Sequence, residues 1–137
     1  YSLDAVVLRY FNVYGPREPV KGKYAPVVGL FKRQAASNKP ITIVGDGTQK
    51  RDFTYISDVV DANIKAMIKE TPSFRIYNVG TGKNYSINEI AGMVSNNKVF
   101  IQNRPAEVKE TLADISLTIK ELEWSPKKDL KEMIKSY

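Results

Sequence analysis

Ala5, Val6, Val7 and Leu8 form an unbroken apolar run. That pattern suits a strand covered on both faces better than one alternating between core and water. Tyr10 and Phe11 extend the β-rich segment over residues 3–11, and Gly15-Pro16-Arg17-Glu18-Pro19 then breaks it with a loop. Val27, Leu30, Phe31, Gln34 and Ala35 recur at helical spacing, which predicts a helix over residues 26–37. Pro26 falls in its first turn, where a missing N–H costs nothing. Ile41-Thr42-Ile43-Val44 reads as a short strand, followed by a tight turn at Gly45-Asp46-Gly47 whose glycines tolerate positive φ.

Ser57 or Asp58 is placed to cap the next helix, on which Val59, Ala62, Asn63, Ala66 and Met67 share one face. Pro72 falls beyond its end. Residues 74–79 have strand character and stop at Gly80-Thr81-Gly82. Ser86-Ile87-Asn88-Glu89 has the spacing of a capping box and opens a helix with Ile87, Ile90, Ala91 and Val94 inward. Val99-Phe100-Ile101 is a small strand. Asp114 opens a short helix bearing Ile115, Ile119 and Leu122, with Trp124 packing after it. Pro126 separates that helix from a Lys-rich one with Leu130, Met133 and Ile134. Strands alternating with helices define an α/β chain, without internal repeat or low-complexity linker.

Composition narrows the function. The 137 residues fit one domain, and 42% hydrophobic with 26% charged residues is ordinary for a globular chain. The net charge of +6 is scattered. It forms no basic run interleaved with aromatics and no finger, helix-turn-helix or basic-zipper spacing, so no nucleic-acid partner is expected. A basic balance suits an anionic small ligand or a merely solvated surface equally well. The absence of Cys and His removes disulfides, thiol nucleophiles, His-based triads and the usual zinc spacings. Asp58 and Asp61 look like a helix start, not a metal site, and no metal is implied. No run of about 18 apolar residues is present, so no membrane association is expected and a cytoplasmic protein is the expectation.

Arg51-Asp52-Phe53 after the glycine turn, and Arg104-Pro105-Ala106-Glu107 further on, look like pieces of a pocket for a phosphorylated ligand. Together with Leu8-Arg9-Tyr10-Phe11-Asn12-Val13-Tyr14-Gly15-Pro16-Arg17, Asp58-Val59-Val60, Tyr77-Asn78-Val79-Gly80-Thr81-Gly82 and Asp114-Ile115-Ser116, they form an ordered set across nearly the whole chain. The set resembles the C-terminal half of the extended short-chain dehydrogenase/reductase family of nucleotide-sugar epimerases and dehydratases, and the UDP-glucose and UDP-N-acetylglucosamine 4-epimerases most of all. Members of that family carry a glycine-rich NAD turn and a Tyr-x-x-x-Lys pair. This sequence has no Gly-x-Gly-x-x-Gly turn, and none of its tyrosines is followed four residues later by Lys.

The resemblance implies a C-terminal nucleotide-sugar-binding portion over residues 1–137. Residues 1–22 would include a remnant strand and loop of the Rossmann domain, whose greater NAD-binding part would lie upstream. The chain would then be a fragment, inactive alone and without tight NAD binding, although the complete enzyme would use NAD. Its partners would be a UDP-sugar and the N-terminal Rossmann half, with homodimerisation of the complete enzyme left open. The first strand, starting so near the terminus, is expected to leave an apolar surface around residues 5–11 exposed or covered by another chain.

The same resemblance assigns residue roles. Arg51 and Arg104 would clamp the UDP diphosphate, since a guanidinium offers a rigid fork of donors to paired anionic oxygens. Glu107 would accept from the ribose hydroxyls, and Ala106 stands where the family usually has Gly. Asn12 would lie beside the sugar-phosphate end. Tyr10 and Phe11 would approach the nicotinamide side of the cofactor, with strand alternation leaving one of the pair to the core as the alternative. A local pair between Arg51 and Asp52 or Asp46, and a solvated Arg104, remain the alternatives. Asp52 is expected to hold Arg51 or a loop amide, and Asn78 to serve packing. Neither a catalytic residue nor a metal ligand is assigned. A 4,6-dehydratase or reductase acting on the same substrates, and a free-standing nucleotide-sugar binding domain, are the other readings.

Overall fold

The apolar run becomes β1 (Val6–Tyr10), paired in parallel with β6 (Arg75–Val79) from Val6 opposite Arg75 to Tyr10 opposite Val79. The computed structural model describes residues 4–20, 25–70 and 74–136. Three further two-stranded ladders follow among these residues. β2 (Val13–Tyr14) runs parallel to β5 (Thr54–Tyr55), and β3 (Ile41–Val44) parallel to β8 (Lys98–Ile101). β4 (Lys50–Asp52) pairs antiparallel with β7 (Asn84–Ser86).

Among the described residues five helices cover these ladders: α1 (Val27–Ala36), α2 (Ile56–Ile68), α3 (Ile87–Val94), α4 (Ser116–Leu122) and α5 (Leu130–Ser136). Their apolar stripes build two cores. One joins Val28 and Phe31 of α1, Ile41 and Ile43 of β3, Ile90 and Ala91 of α3 and Leu130 and Ile134 of α5. The other packs Val59 and Ala62 of α2 against Tyr77, Val79, Leu122 and Trp124. Tyr77 is buried, and its hydroxyl donates to Glu121 Oε2 at 2.7 Å. Burial and that carboxylate neighbour push the phenol up to about 12.

Local signals translate directly. Pro26 is the N-cap residue of α1, and the Ser86–Glu89 capping box forms with Glu89 N–H donating to Ser86 Oγ at 3.2 Å and Ser86 N–H to Glu89 Oε2 at 2.7 Å. The turn after β3 has φ of 65° at Gly45 and 72° at Gly47. A Cβ at Gly45 would also lie 1.9 Å from Asn103 Oδ1, so that exposed amide would have to swing aside. Asp114 Oδ1 accepts from Ser116 N–H at 2.9 Å at the start of α4.

Three expectations are corrected. Asp58 does not cap α2, and neither does Ser57: the N-cap position is Tyr55, with no side-chain cap. The Asp58 carboxylate is buried and its Oδ2 accepts from the backbone N–H groups of Lys127 and Lys128, both at 3.0 Å, while Trp124 Nε1 donates to the Asp58 carbonyl at 3.0 Å. It therefore ties the segment between α4 and α5 to α2. Met67 does not share the buried face of Val59 and Ala62 and is 84% exposed. β1 is not covered on both faces within this chain: Val7 and Tyr10 stay exposed, which is the apolar surface expected around residues 5–11. Pro72 lies outside the described residues.

Candidate functional site

The two-residue period of β4 sets the site. Arg51 and Asp52 are neighbours in an extended strand, so their side chains leave opposite faces. Asp52 points inward and is fully buried. Its Oδ1 accepts from Thr81 N–H at 2.8 Å and Thr81 Oγ1 at 2.7 Å. Its Oδ2 accepts from Gly82 N–H at 3.0 Å and Ala113 N–H at 3.1 Å. Asp52 thus holds loop amides, and Gly80 permits the approach, since a Cβ there would lie 2.3 Å from the Ala113 methyl.

Arg51 takes the other face. Its Nη1 donates to the Lys50 carbonyl at 2.8 Å and its Nη2 to Glu107 Oε1 at 2.7 Å. Pairing with Asp52 is precluded by the strand alternation, and Asp46 is engaged elsewhere, its Oδ1 accepting from Thr48 N–H at 2.9 Å and Thr48 Oγ1 at 2.7 Å. Those bonds hold the Asp46 carboxyl below its usual range. The Arg51–Glu107 pair is half-buried, with side-chain exposures of 13% and 33%.

Glu107 and Arg104 lie in a segment anchored at both ends. Gly45 N–H donates to the Ile101 carbonyl at 2.9 Å, and Lys50 N–H to the Lys109 carbonyl at 2.8 Å. Residues 101–110 between these anchors are exposed. Ala106 turns the chain with a φ of 60°, the left-handed conformation that favours glycine.

Asn12 closes the arrangement from the link between β1 and β2. Its φ of 27° is one that Asn tolerates better than most residues. Its Nδ2 donates to the Asp52 carbonyl at 2.8 Å. Asn12, Arg51, Arg104 and Glu107 all line one cavity of about 450 Å3, backed by apolar side chains including Val28, Phe31, Phe53 and Ile87. Two charge-bearing Arg heads and one carboxylate over an apolar wall can take an anionic ligand with a flat or apolar part. Among the described residues Arg104 makes no ion pair, so its guanidinium is available to such a ligand.

Tyr10 and Phe11 do not line this cavity. They sit at the carboxyl end of β1, and the Tyr10 hydroxyl donates to Asn63 Oδ1 of α2 at 2.9 Å. Asn78 serves packing, its Nδ2 donating to the Asp114 carbonyl at 2.9 Å. Sequence reasoning missed Gln49, which lines the cavity while its Nε2 donates to the Val44 carbonyl at 2.9 Å. It also missed Thr42, whose backbone N–H and Oγ1 are both gripped by the Gln34 amide. Glutamine four residues after Gly45 in a turn-to-strand segment was the available signal for the first; nothing marked the second. Among the described residues, no cluster of acidic side chains is grouped to hold a metal, and no helix is long and apolar enough to cross a membrane.

Residues 1–80 match the NAD dependent epimerase/dehydratase family, and the chain belongs to it. It is 38% identical to a UDP-glucuronate 4-epimerase of Thermodesulfobacterium geofontis over 98% of this chain and 42% of the relative. Its fold is similar to that of a UDP-glucose 4-epimerase from Thermotoga maritima solved with UDP-glucose, with a TM-score of 0.88 at 34% identity over 95% of this chain and 43% of that one. A UDP-glucuronic acid 4-epimerase from Bacillus cereus, solved with UDP-glucuronic acid and NAD, gives a TM-score of 0.88 at 35% identity over 98% and 44%. The chain therefore has the fold of the C-terminal portion of an extended short-chain dehydrogenase/reductase, and spans less than half the length of these relatives.

Proposed function

We propose that this chain supplies the nucleotide-sugar clamp of a UDP-sugar 4-epimerase that interconverts UDP-glucose and UDP-galactose. The observation that carries the reading is the convergence of Arg51, Arg104, Glu107 and Asn12 on one cavity. Arg51 and Arg104 bind the diphosphate, Glu107 the ribose, and Asn12 orients the sugar-phosphate end. Val28, Phe31 and Phe53 back the clamp on one side with an apolar wall, which strengthens the charge-assisted bonds of the half-buried Arg51.

NAD, when bound in the complete enzyme, supplies the hydride acceptor for the sugar. Tyr10 and Phe11 lie at the carboxyl end of a parallel strand, the usual position for ligands in such sheets. The Tyr10 hydroxyl is committed to Asn63 and Phe11 has no polar side-chain atom, so both fit the cofactor only as contact surface. The N-terminal half is the proposed partner of the exposed outer face of α2. Ile56, Val60, Ile64, Met67 and Ile68 form an apolar stripe there at helical spacing, between 37% and 84% exposed. The family also holds dehydratases, and a 4,6-dehydratase or reductase would share the clamp.

Titration of the purified chain with UDP, UMP and uridine tests the clamp. UDP should bind tightest, and Arg51→Lys should weaken it by about ten-fold because an ammonium cannot reproduce the guanidinium fork. Equal binding of UDP and uridine would refute the diphosphate assignment. Conversion of UDP-galactose, assayed on the chain joined to an NAD-binding half, separates epimerase from dehydratase chemistry by product.

A further inference from the structure

The Arg51–Glu107 ion pair sets a carboxylate against the guanidinium that the proposed clamp uses for the diphosphate. Nη1 of Arg51 is already bonded to the Lys50 carbonyl, and Nη2 faces Glu107 Oε1 at 2.7 Å. The guanidinium keeps further N–H donors, but an anionic oxygen that reaches them sits beside the Glu107 carboxylate and is repelled unless that carboxylate turns away. We infer that Glu107 is a selectivity residue that holds Arg51 closed against free phosphates and releases it to nucleotides. This rests on the clamp reading above and adds to it a competition internal to the protein.

The physical argument turns on what happens to Glu107 once displaced. Its side chain is one-third exposed, so it loses part of its hydration in the site. Inorganic pyrophosphate brings oxygens for Arg51 and Arg104 but only repulsion for a carboxylate left nearby. A nucleoside diphosphate brings the same oxygens together with ribose hydroxyls, which are donors to that carboxylate. The exchange is then one charge-assisted set for another. Displacement thus opposes any bare phosphate and is offset for a nucleotide, which produces discrimination by leaving a polar group unpaired in the wrong complex.

The backbone supports an exchange confined to this segment. Hydrogen bonds fix the chain at Ile101 and at Lys109, and Glu107 lies between these anchors in an exposed stretch. Arg51 sits on β4, which is fastened to β7 and to the buried Asp52 network. Glu107 is accordingly the member that moves, and Arg51 the member that stays.

The experiment titrates inorganic pyrophosphate and UDP into the wild-type chain, Glu107→Gln, Glu107→Ala and Arg51→Gln, after far-UV circular dichroism has matched their folds. Glutamine keeps the size of the side chain and removes the charge that competes for Arg51. Glu107→Gln should bind pyrophosphate roughly five-fold more tightly than wild type, the size expected for freeing a half-exposed ion pair. The preference for UDP over pyrophosphate should fall in both Glu107 variants. Unchanged or weaker pyrophosphate binding by Glu107→Gln and Glu107→Ala, with Arg51→Gln still losing it, overturns the exchange and leaves the clamp standing. If Arg51→Gln binds both ligands as wild type does, the clamp itself fails, and the inference with it. No detectable pyrophosphate binding by either Glu107 variant also overturns the exchange.

Discussion

Replacing Asp52 by Asn removes a charge and one acceptor while keeping the shape of the side chain. In the native protein the carboxylate is fully buried and its two oxygens accept four hydrogen bonds, three from backbone N–H groups and one from the Thr81 hydroxyl. The amide of Asn can keep its oxygen toward Gly82 and Ala113 only by turning its NH2 toward Thr81. The Thr81 hydroxyl has another acceptor at the Lys83 carbonyl, 2.9 Å away, but the Thr81 N–H is orphaned. An orphaned buried donor costs about 1–3 kcal/mol, and two charge-assisted bonds reduced to neutral ones cost about 1 kcal/mol more. Relief from burying a charge offsets some of this, leaving a net loss of about 2 kcal/mol. That is a large share of the ~5–15 kcal/mol that holds a domain together. The melting temperature followed by circular dichroism should fall by roughly 8 °C at about 4 °C per kcal/mol, and that of Asp52→Ala, which orphans more donors, should fall further. An Asp52→Asn chain within 1 kcal/mol of wild type in urea unfolding would refute the claim that this carboxylate organises the loops after β6.

Trp124→Phe deletes the indole bond to the Asp58 carbonyl inside the second core and should cost about 2–4 kcal/mol by urea denaturation. Ser86→Ala removes the capping box and should cost about 1 kcal/mol. Glu89 is held below its usual range by the Ser86 backbone N–H first and the hydroxyl second, so its contribution is full above the unfolded value of 4.5 and is lost as pH falls through its folded one. Glu89→Gln should therefore flatten the acid limb of the stability profile, while Ser86→Ala, which keeps the backbone N–H donor, should flatten it only in part; an unchanged limb in Glu89→Gln would show that the pair does not set it. Ala106→Gly relieves a left-handed Ala at φ 60° and should raise the melting temperature slightly. The strain of about 1–2 kcal/mol exceeds the ~0.5–1 kcal/mol that glycine adds to the unfolded chain's freedom. A lower melting temperature would show that the turn carries no such strain.

Features whose causes lie within a few residues were legible without the fold. The strand Ile41–Val44, Pro26 opening α1, the Ser86–Glu89 box and the Gly45 and Gly47 turn follow from side-chain branching, fixed φ and short-range donors. The family was legible as well, because the ordered motifs are a linear property, and the match over residues 1–80 agrees with them. Only the tertiary structure decided what each charge does. Asp58 has the spacing of a cap, yet the free N–H groups of Lys127 and Lys128 lie within its reach, and a buried carboxylate with two backbone donors is bound more firmly than an exposed cap. Met67 has the spacing of a core residue, but the width of the buried stripe on α2 is set by β1, β6 and α4, which leave it outside. Arg51 and Glu107 are 56 residues apart, and nothing local specifies their contact. It arises because strand alternation sends Asp52 to the core and Arg51 outward, where the Ile101 and Lys109 anchors hold the Glu107 segment against it.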